Sequence, residues 1–106
     1  SSVATSSPYP GIADYCAAKS ALLSLVRSVA LELAPSGARA NAVSPGVVRT
    51  PMFERAPFDE QIAKSWHKLG RIGEPAEVAS LVYYLASDDA NWITGQDYTI
   101  DGGMTL

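Results

Sequence analysis

The sequence predicts an α/β protein in which parallel strands are connected by crossover helices. Two observations predict it. Short extended runs alternate with stretches of helical periodicity, in the order strand, helix, strand, helices, strand. Proline and glycine punctuate the boundaries, so that the elements separate from one another along the chain.

Ser1 to Ala4 reads as the end of a strand, and Thr5 to Ala13, with its Ser, Pro and Gly, as a loop. Asp14 is placed to N-cap a helix that runs to about Ala34, where Pro35-Ser36-Gly37 stops it. Arg39 to Ser44 reads as a short strand, broken by Pro45-Gly46, and VVRTPM follows as an extended loop or short turn. Phe58 to Leu69 suggests a second, shorter helix with Asp59 and Glu60 near its start, where acidic groups meet the positive end of the helix dipole. Gly70 and Gly73 interrupt the chain, and Pro75 suits the first turn of a third helix, PAEVASLVYYLAS, with Val78, Leu81, Val82 and Leu85 as its apolar face. Asp88 to Ile93 connects to a last strand around Tyr98 to Ile100, stopped by Gly102-Gly103.

Composition narrows the function. The 106 residues carry a net charge of -3, with eight Lys and Arg in no basic run, which gives no electrostatic reason to expect nucleic acid as a partner. Hydrophobic residues make up 47% of the chain without a stretch long enough to span a bilayer, so a membrane partner is not expected. The single cysteine, Cys16, rules out an internal disulfide and fits a reducing, cytoplasmic setting. His67 is the only histidine and has no Cys or carboxylate pair at metal-binding spacing, so it reads as a solvated residue and no metal site is expected.

The long helix carries the most informative pair. At 100° per residue Tyr15, Lys19, Leu22, Val26, Val29 and Leu33 fall on one face. A lysine on an apolar stripe needs a partner, and the tyrosine one turn earlier is within reach. A free phenol ionises at about pH 10, and a cation about 4 Å away stabilises the phenolate by about 4 kcal/mol at an effective dielectric near 20, the right size to make a tyrosine exchange protons near neutrality. Taken alone, the pair also fits a core tyrosine with a snorkelling lysine.

Ser2 lies thirteen residues before Tyr15. Ser2, Tyr15-Cys-Ala-Ala-Lys19, Asn41-Ala-Val-Ser-Pro45-Gly46-Val-Val-Arg-Thr50, Gly70-Arg-Ile-Gly-Glu-Pro-Ala-Glu-Val-Ala79, and Ile93-Thr-Gly-Gln with Ile100-Asp-Gly-Gly103 stand in one order over almost the whole chain. In that order they resemble the short-chain dehydrogenase/reductase family, most closely its classical branch. Ala38 and Ala40 depart from the larger aliphatics usual there, at no catalytic position.

The resemblance implies the C-terminal half of a Rossmann-like doubly wound parallel sheet, with residues 1–106 as one partial domain. The family's glycine-rich nucleotide turn and catalytic Asn have no counterpart here, so the nucleotide-binding half is expected upstream. By the same resemblance, Ser2, Tyr15 and Lys19 are the catalytic residues, Tyr15 acting as acid and base and Ser2 holding the substrate oxygen. Tyr15 and Lys19 also contact the cofactor, NAD or NADP, and Pro45, Gly46, Val48 and Thr50 hold its nicotinamide carboxamide.

The implied reaction interconverts an alcohol and a carbonyl in a small-molecule substrate. Met52 to Trp66 occupies the place of the family's substrate lid, and Met52, Phe53, Phe58 and Trp66 hint at a hydrophobic substrate portion. Alternatives are a 3-oxoacyl-thioester reductase, a cofactor-sensing regulator on the same fold, and a chain that is non-catalytic as it stands. Leu23, Ala30, Leu31 and Ala34 extend the apolar surface of the long helix beyond one stripe, which with the resemblance implies a homo-oligomer, a tetramer.

Overall fold

The computed structural model describes residues 1–56 and 59–106. Its regular elements are α1 (Ala13–Leu33), β1 (Ala42–Pro45), α2 (Pro51–Glu54), α3 (Glu60–Trp66), α4 (Pro75–Ala86) and β2 (Asp97–Ile100), with 3₁₀ turns at Val3–Thr5, Ala34–Ser36 and Asp88–Ala90. The two strands pair in parallel, Ala42 opposite Asp97 and Pro45 opposite Ile100. The helices α2 to α4 lie in the crossover that a parallel pair requires. The expected α/β architecture is therefore present.

Local chemistry explains most boundaries. Pro75 opens α4, and the Glu77 carboxylate reaches back to accept from the Glu74 N–H at 2.8 Å, satisfying one of the free donors at the helix start. Asp59 caps α3 by accepting from the Gln61 N–H. The α1 helix ends through a 3₁₀ turn into Gly37, whose φ of 76° is one that glycine adopts without strain. On β1, Ala42 and Ser44 are buried, and the Ser44 hydroxyl donates to Asp97 Oδ1 on β2 at 2.7 Å.

Several expectations are corrected. Val3–Thr5 is a 3₁₀ turn capped by Ser2, whose Oγ accepts from the Ala4 N–H, and not the end of a strand; only the Ser1 nitrogen lies alongside β1, donating to the Val43 carbonyl at 2.8 Å. Ile12, not Asp14, is the N-cap of α1, and Asp14 sits in the first turn, still well placed against the helix dipole. The covered stripe of α1 runs through Cys16, Lys19, Leu23, Val26, Val29 and Ala30, which leaves Tyr15, Leu22 and Leu33 exposed. The expected face is thus rotated, with Lys19, Val26 and Val29 shared.

The strand expected from Arg39 begins only at Ala42, because side chains hold the preceding residues. Arg39 donates to the carbonyls of Ser87 and Ile93, and Asn41 donates to Ile93 O and accepts from the Gln96 N–H. The VVRTPM segment runs into the four-residue helix α2, with Pro51 in its first turn and Thr50 Oγ1 accepting from the Phe53 N–H at 3.3 Å. The second expected helix is the shorter α3, and Phe58, its expected start, lies outside the described residues.

His67 is the largest correction, since it is buried to 4% exposure. Its ring sits between the ends of β1 and β2. Nε2 accepts from the Val47 N–H at 3.2 Å, and Nδ1 lies 2.7 Å from the Ala63 carbonyl. A lone polar residue beside a short helix gives no sign in sequence that two strand ends will close over it.

Candidate active site

Ser2, Tyr15, Pro45, Gly46, Val48 and Thr50 line one groove of about 490 Å³. Three separate parts of the fold bring them together. The 3₁₀ turn supplies Ser2, the first turn of α1 supplies Tyr15, and the end of β1 with the segment into α2 supplies the rest. Lys19 is not in the lining. It stands one turn along α1 with its ammonium 5.4 Å from the centroid of the Tyr15 ring, within cation–π range, and it is half-buried on the covered stripe. Tyr15 itself is 45% exposed, its ring open to the groove.

The polar groups in this groove retain bonding capacity. Ser2 Oγ accepts from the Ala4 N–H at 3.2 Å, which leaves its own hydrogen free to donate outward. The backbone beyond β1 is fixed on both sides. Gly46 N–H donates to Ile100 O, Val47 N–H to His67 Nε2, Gly73 N–H to Val47 O, and Arg49 N–H to Gly73 O. In this parallel bridge between Val48 and Gly73, the Val48 N–H and C=O point away from Gly73. Among the described residues neither has a protein partner. A free donor beside a free acceptor on fixed backbone is the complement of a primary amide.

Arg49 anchors the same segment to its neighbours. Its guanidinium takes both Glu60 oxygens, at 3.0 and 2.8 Å, and donates through Nε to Glu74 at 3.0 Å. Glu60 also pairs with Lys64 at 3.0 Å. The hydrogen bonds from Arg49, then that from Lys64, pull the Glu60 carboxyl down to about 2. One arginine thus ties the starts of α3 and α4 to the backbone that carries Val48. Beyond β2, burial disfavours the charged form of Asp101, but hydrogen bonds from Thr105 and Gly103 outweigh it and hold the carboxyl below its ordinary value.

A second chamber of about 330 Å³ opens from Ser2 and Tyr15 toward Tyr9, Ile12, Met52, Trp66 and Met104. Met52 and Trp66 were legible as lid residues. Tyr9, Ile12 and Met104 were not, because a proline-rich loop and a tail after two glycines carry no periodicity. Among the described residues no cluster of three or more His, Cys, Asp or Glu could hold a metal ion, and no helix is long and apolar enough to cross a membrane.

Comparison with known proteins gives the family. The model of the family described as Enoyl-(Acyl carrier protein) reductase matches residues 1–105. The chain is 44% identical over 94 residues to cyclohexanol dehydrogenase of Acinetobacter sp. (strain SE19), covering 89% of this chain and 37% of that protein. It superposes with a TM-score of 0.89 on a mutant short-chain dehydrogenase/reductase of Serratia marcescens, at 38% identity, covering 99% of this chain and 43% of that one. A 4-hydroxyisoleucine dehydrogenase complexed with NADH superposes with a TM-score of 0.87 at 37% identity, covering 99% of this chain and 44% of that one. The chain therefore spans about two-fifths of the length of the relatives it matches. By these matches, and by the ordered motifs from Ser2 to Gly103, the chain belongs to the short-chain dehydrogenase/reductase family.

Proposed function

We propose that the full-length protein is an NAD(P)-dependent oxidoreductase that interconverts an alcohol and a carbonyl, and that residues 1–106 supply its catalytic and nicotinamide-facing part. One observation carries the reading: Ser2, Tyr15 and the unpartnered Val48 backbone line a single groove, with the Lys19 ammonium beside the tyrosine ring. The Val48 N–H and C=O fit a nicotinamide carboxamide, in a place bounded by Pro45, Gly46 and Thr50. When bound, the nicotinamide supplies or accepts the hydride.

The chain's own residues handle the proton and the oxygen. In reduction the Tyr15 hydroxyl gives its proton to the substrate oxygen, and in oxidation it takes the proton back. The Ser2 hydrogen, left free by the Ala4 bond, holds that oxygen in line. The Lys19 ammonium stabilises negative charge as it develops on the phenol. The apolar chamber past Tyr9, Met52, Trp66 and Met104 favours a substrate whose remainder is uncharged and hydrophobic.

A 3-oxoacyl-thioester reductase is the second reading, favoured by 42% identity over 98 residues to a 3-oxoacyl-[acyl-carrier-protein] reductase of Thermotoga maritima. A panel of cyclic ketones, steroid ketones and 3-oxoacyl thioesters, followed by NADH and NADPH absorbance, separates the two. The expected outcome is turnover of a neutral ring ketone above that of a short 3-oxoacyl thioester. Turnover of the thioester alone would favour the second reading, and turnover of none would count against both. The homotetrameric state and the cytoplasmic location are part of the same proposal. The first is supported by the exposure of Leu31, Tyr83 and Trp92, the second by the single free Cys16.

A further inference from the structure

The geometry points to His67 as a positioning residue: it locks the Gly46–Val47 backbone, and through it sets the Val48 amide group that faces the cofactor. The inference rests on the nicotinamide role proposed for Val48.

The partners of the ring fix its protonation state. The Val47 N–H can only donate, so Nε2 accepts and carries no hydrogen. The Ala63 carbonyl can only accept, so Nδ1 carries the hydrogen and donates it. This is the neutral Nδ1–H tautomer with both nitrogens used. The nearby carboxylate, Asp101, is committed elsewhere: Oδ1 accepts from the Gly103 N–H, and Oδ2 from the Thr105 N–H and hydroxyl. The ring is therefore held by two backbone groups and not by an ion pair.

Those two groups belong to different parts of the proposed machinery. Ala63 is on α3, inside the segment that flanks the substrate chamber. Val47 immediately precedes Val48. The packing leaves the ring little freedom. A Cβ at Gly46 would lie 3.1 Å from His67 Nε2, and one at Gly102 would lie 3.5 Å from His67 Cδ2. Without the ring the part-buried Val47 N–H would lose its partner, and the Gly46–Val47 peptide next to Val48 would be held less tightly. Arg49 and Gly73 hold the far side of the segment, and on the near side His67 joins the Gly46 bond to Ile100 by holding the Val47 N–H.

Two substitutions divide its bonds. His67→Gln places a carbonyl oxygen near the position of Nε2, keeping the Val47 bond and losing the Ala63 bond. His67→Asn places an amide nitrogen near Nδ1, keeping the Ala63 bond and losing the Val47 bond. Each variant retains one of two bonds, so a purely structural histidine predicts activity losses that follow the losses of stability, with no excess where the Val47 bond is broken. The positioning role predicts that kcat/KM for the cofactor, in the full-length protein well below either melting midpoint, falls about tenfold in His67→Asn and no more than about twofold in His67→Gln. Hydrogen exchange of the Val47 amide, read without cofactor, should accelerate in His67→Asn and stay slow in His67→Gln.

Equal activity losses, or a larger loss in His67→Gln, would overturn the proposal. A nitrogen-15 spectrum of the unsubstituted protein gives a test that needs no variant. The expected form is Nδ1–H, and an Nε2–H or doubly protonated ring near neutral pH would overturn it. Failure of the oxidoreductase reading is seen separately, as absence of NAD(P)-linked turnover in the unsubstituted protein while the Val47 amide and the ring tautomer still behave as stated; the role toward the cofactor then falls with that reading.

Discussion

Replacing Gly46 by alanine should destabilise the protein severely, and the structure supplies the size of the effect. A Cβ built there meets Asp101 Cα at 3.0 Å, Asp101 Cβ at 3.0 Å and His67 Nε2 at 3.1 Å. One of these is backbone and cannot swing aside. Forcing a methyl group into such a space costs roughly 1–3 kcal/mol. Displacing the imidazole also weakens its bond from Val47, worth roughly 0.5–1.5 kcal/mol. The sum is roughly 1.5–4.5 kcal/mol. Gly73 provides the control on the facing segment. A Cβ there meets only ordinary contacts, at 3.6 Å from Val47 O and from Val48 Cγ2, and its φ is not positive. Gly73→Ala should therefore lie within about 1 kcal/mol of the parent. Equilibrium urea unfolding of the full-length protein reads both. A Gly46→Ala midpoint within error of the parent, or a Gly73→Ala protein as damaged as Gly46→Ala, would refute the close approach of β1, β2 and His67.

Three further outcomes are expected. Lys19→Met removes the cation 5.4 Å from the Tyr15 ring centroid and should lower kcat by at least about a hundredfold while raising the cofactor KM, both read in steady-state kinetics. Glu60, held at about 2 when folded against an ordinary value of 4.5, ionises more readily in the folded state. Its contribution to stability is thus complete above about pH 4.5 and is lost as the pH falls toward about 2. Glu60→Gln should lower stability at neutrality and converge with the parent as the pH falls toward about 2, which flattens the acid limb of a stability–pH profile in that window, and an unchanged acid limb would argue against the Arg49 linkage. Light scattering at micromolar concentration on the full-length protein should find the proposed homotetramer, in which the exposed Trp92, Tyr83 and Leu31 are available to be covered. An active monomer would contradict that expectation.

The fold was legible where a residue acts on its own neighbourhood. Pro75 and Glu77 mark the start of α4, Gly102 and Gly103 mark the end of β2 with φ of 58° and 79°, and both follow from local chemistry. Ser2, Tyr15, Pro45, Gly46, Val48 and Thr50 of the groove were legible as motifs, but their meeting was not, since Ser2, Tyr15 and Val48 come from three elements. What sequence could not give depends on distant contacts. The covered stripe of α1 is set by what packs on it, so the helix turned away from the face its periodicity suggested. The late start of β1 depends on Arg39 and Asn41 reaching residues more than forty positions on. Burial of His67 requires the ends of both strands to converge on it, which its own stretch of sequence does not signal. A four-residue helix such as α2 leaves too short a pattern to be read.

The central claim is that the Tyr15 hydroxyl moves the proton while other groups hold the cofactor. Tyr15→Phe in the full-length protein isolates that one atom, because the ring that faces Lys19 and lines the groove is kept. Cofactor titration and single-turnover kinetics on the same sample give the answer. The account predicts a dissociation constant for NAD(P)H within about threefold of the parent and a loss of turnover of about a hundredfold or more. Near-parental turnover with the hydroxyl gone would contradict it.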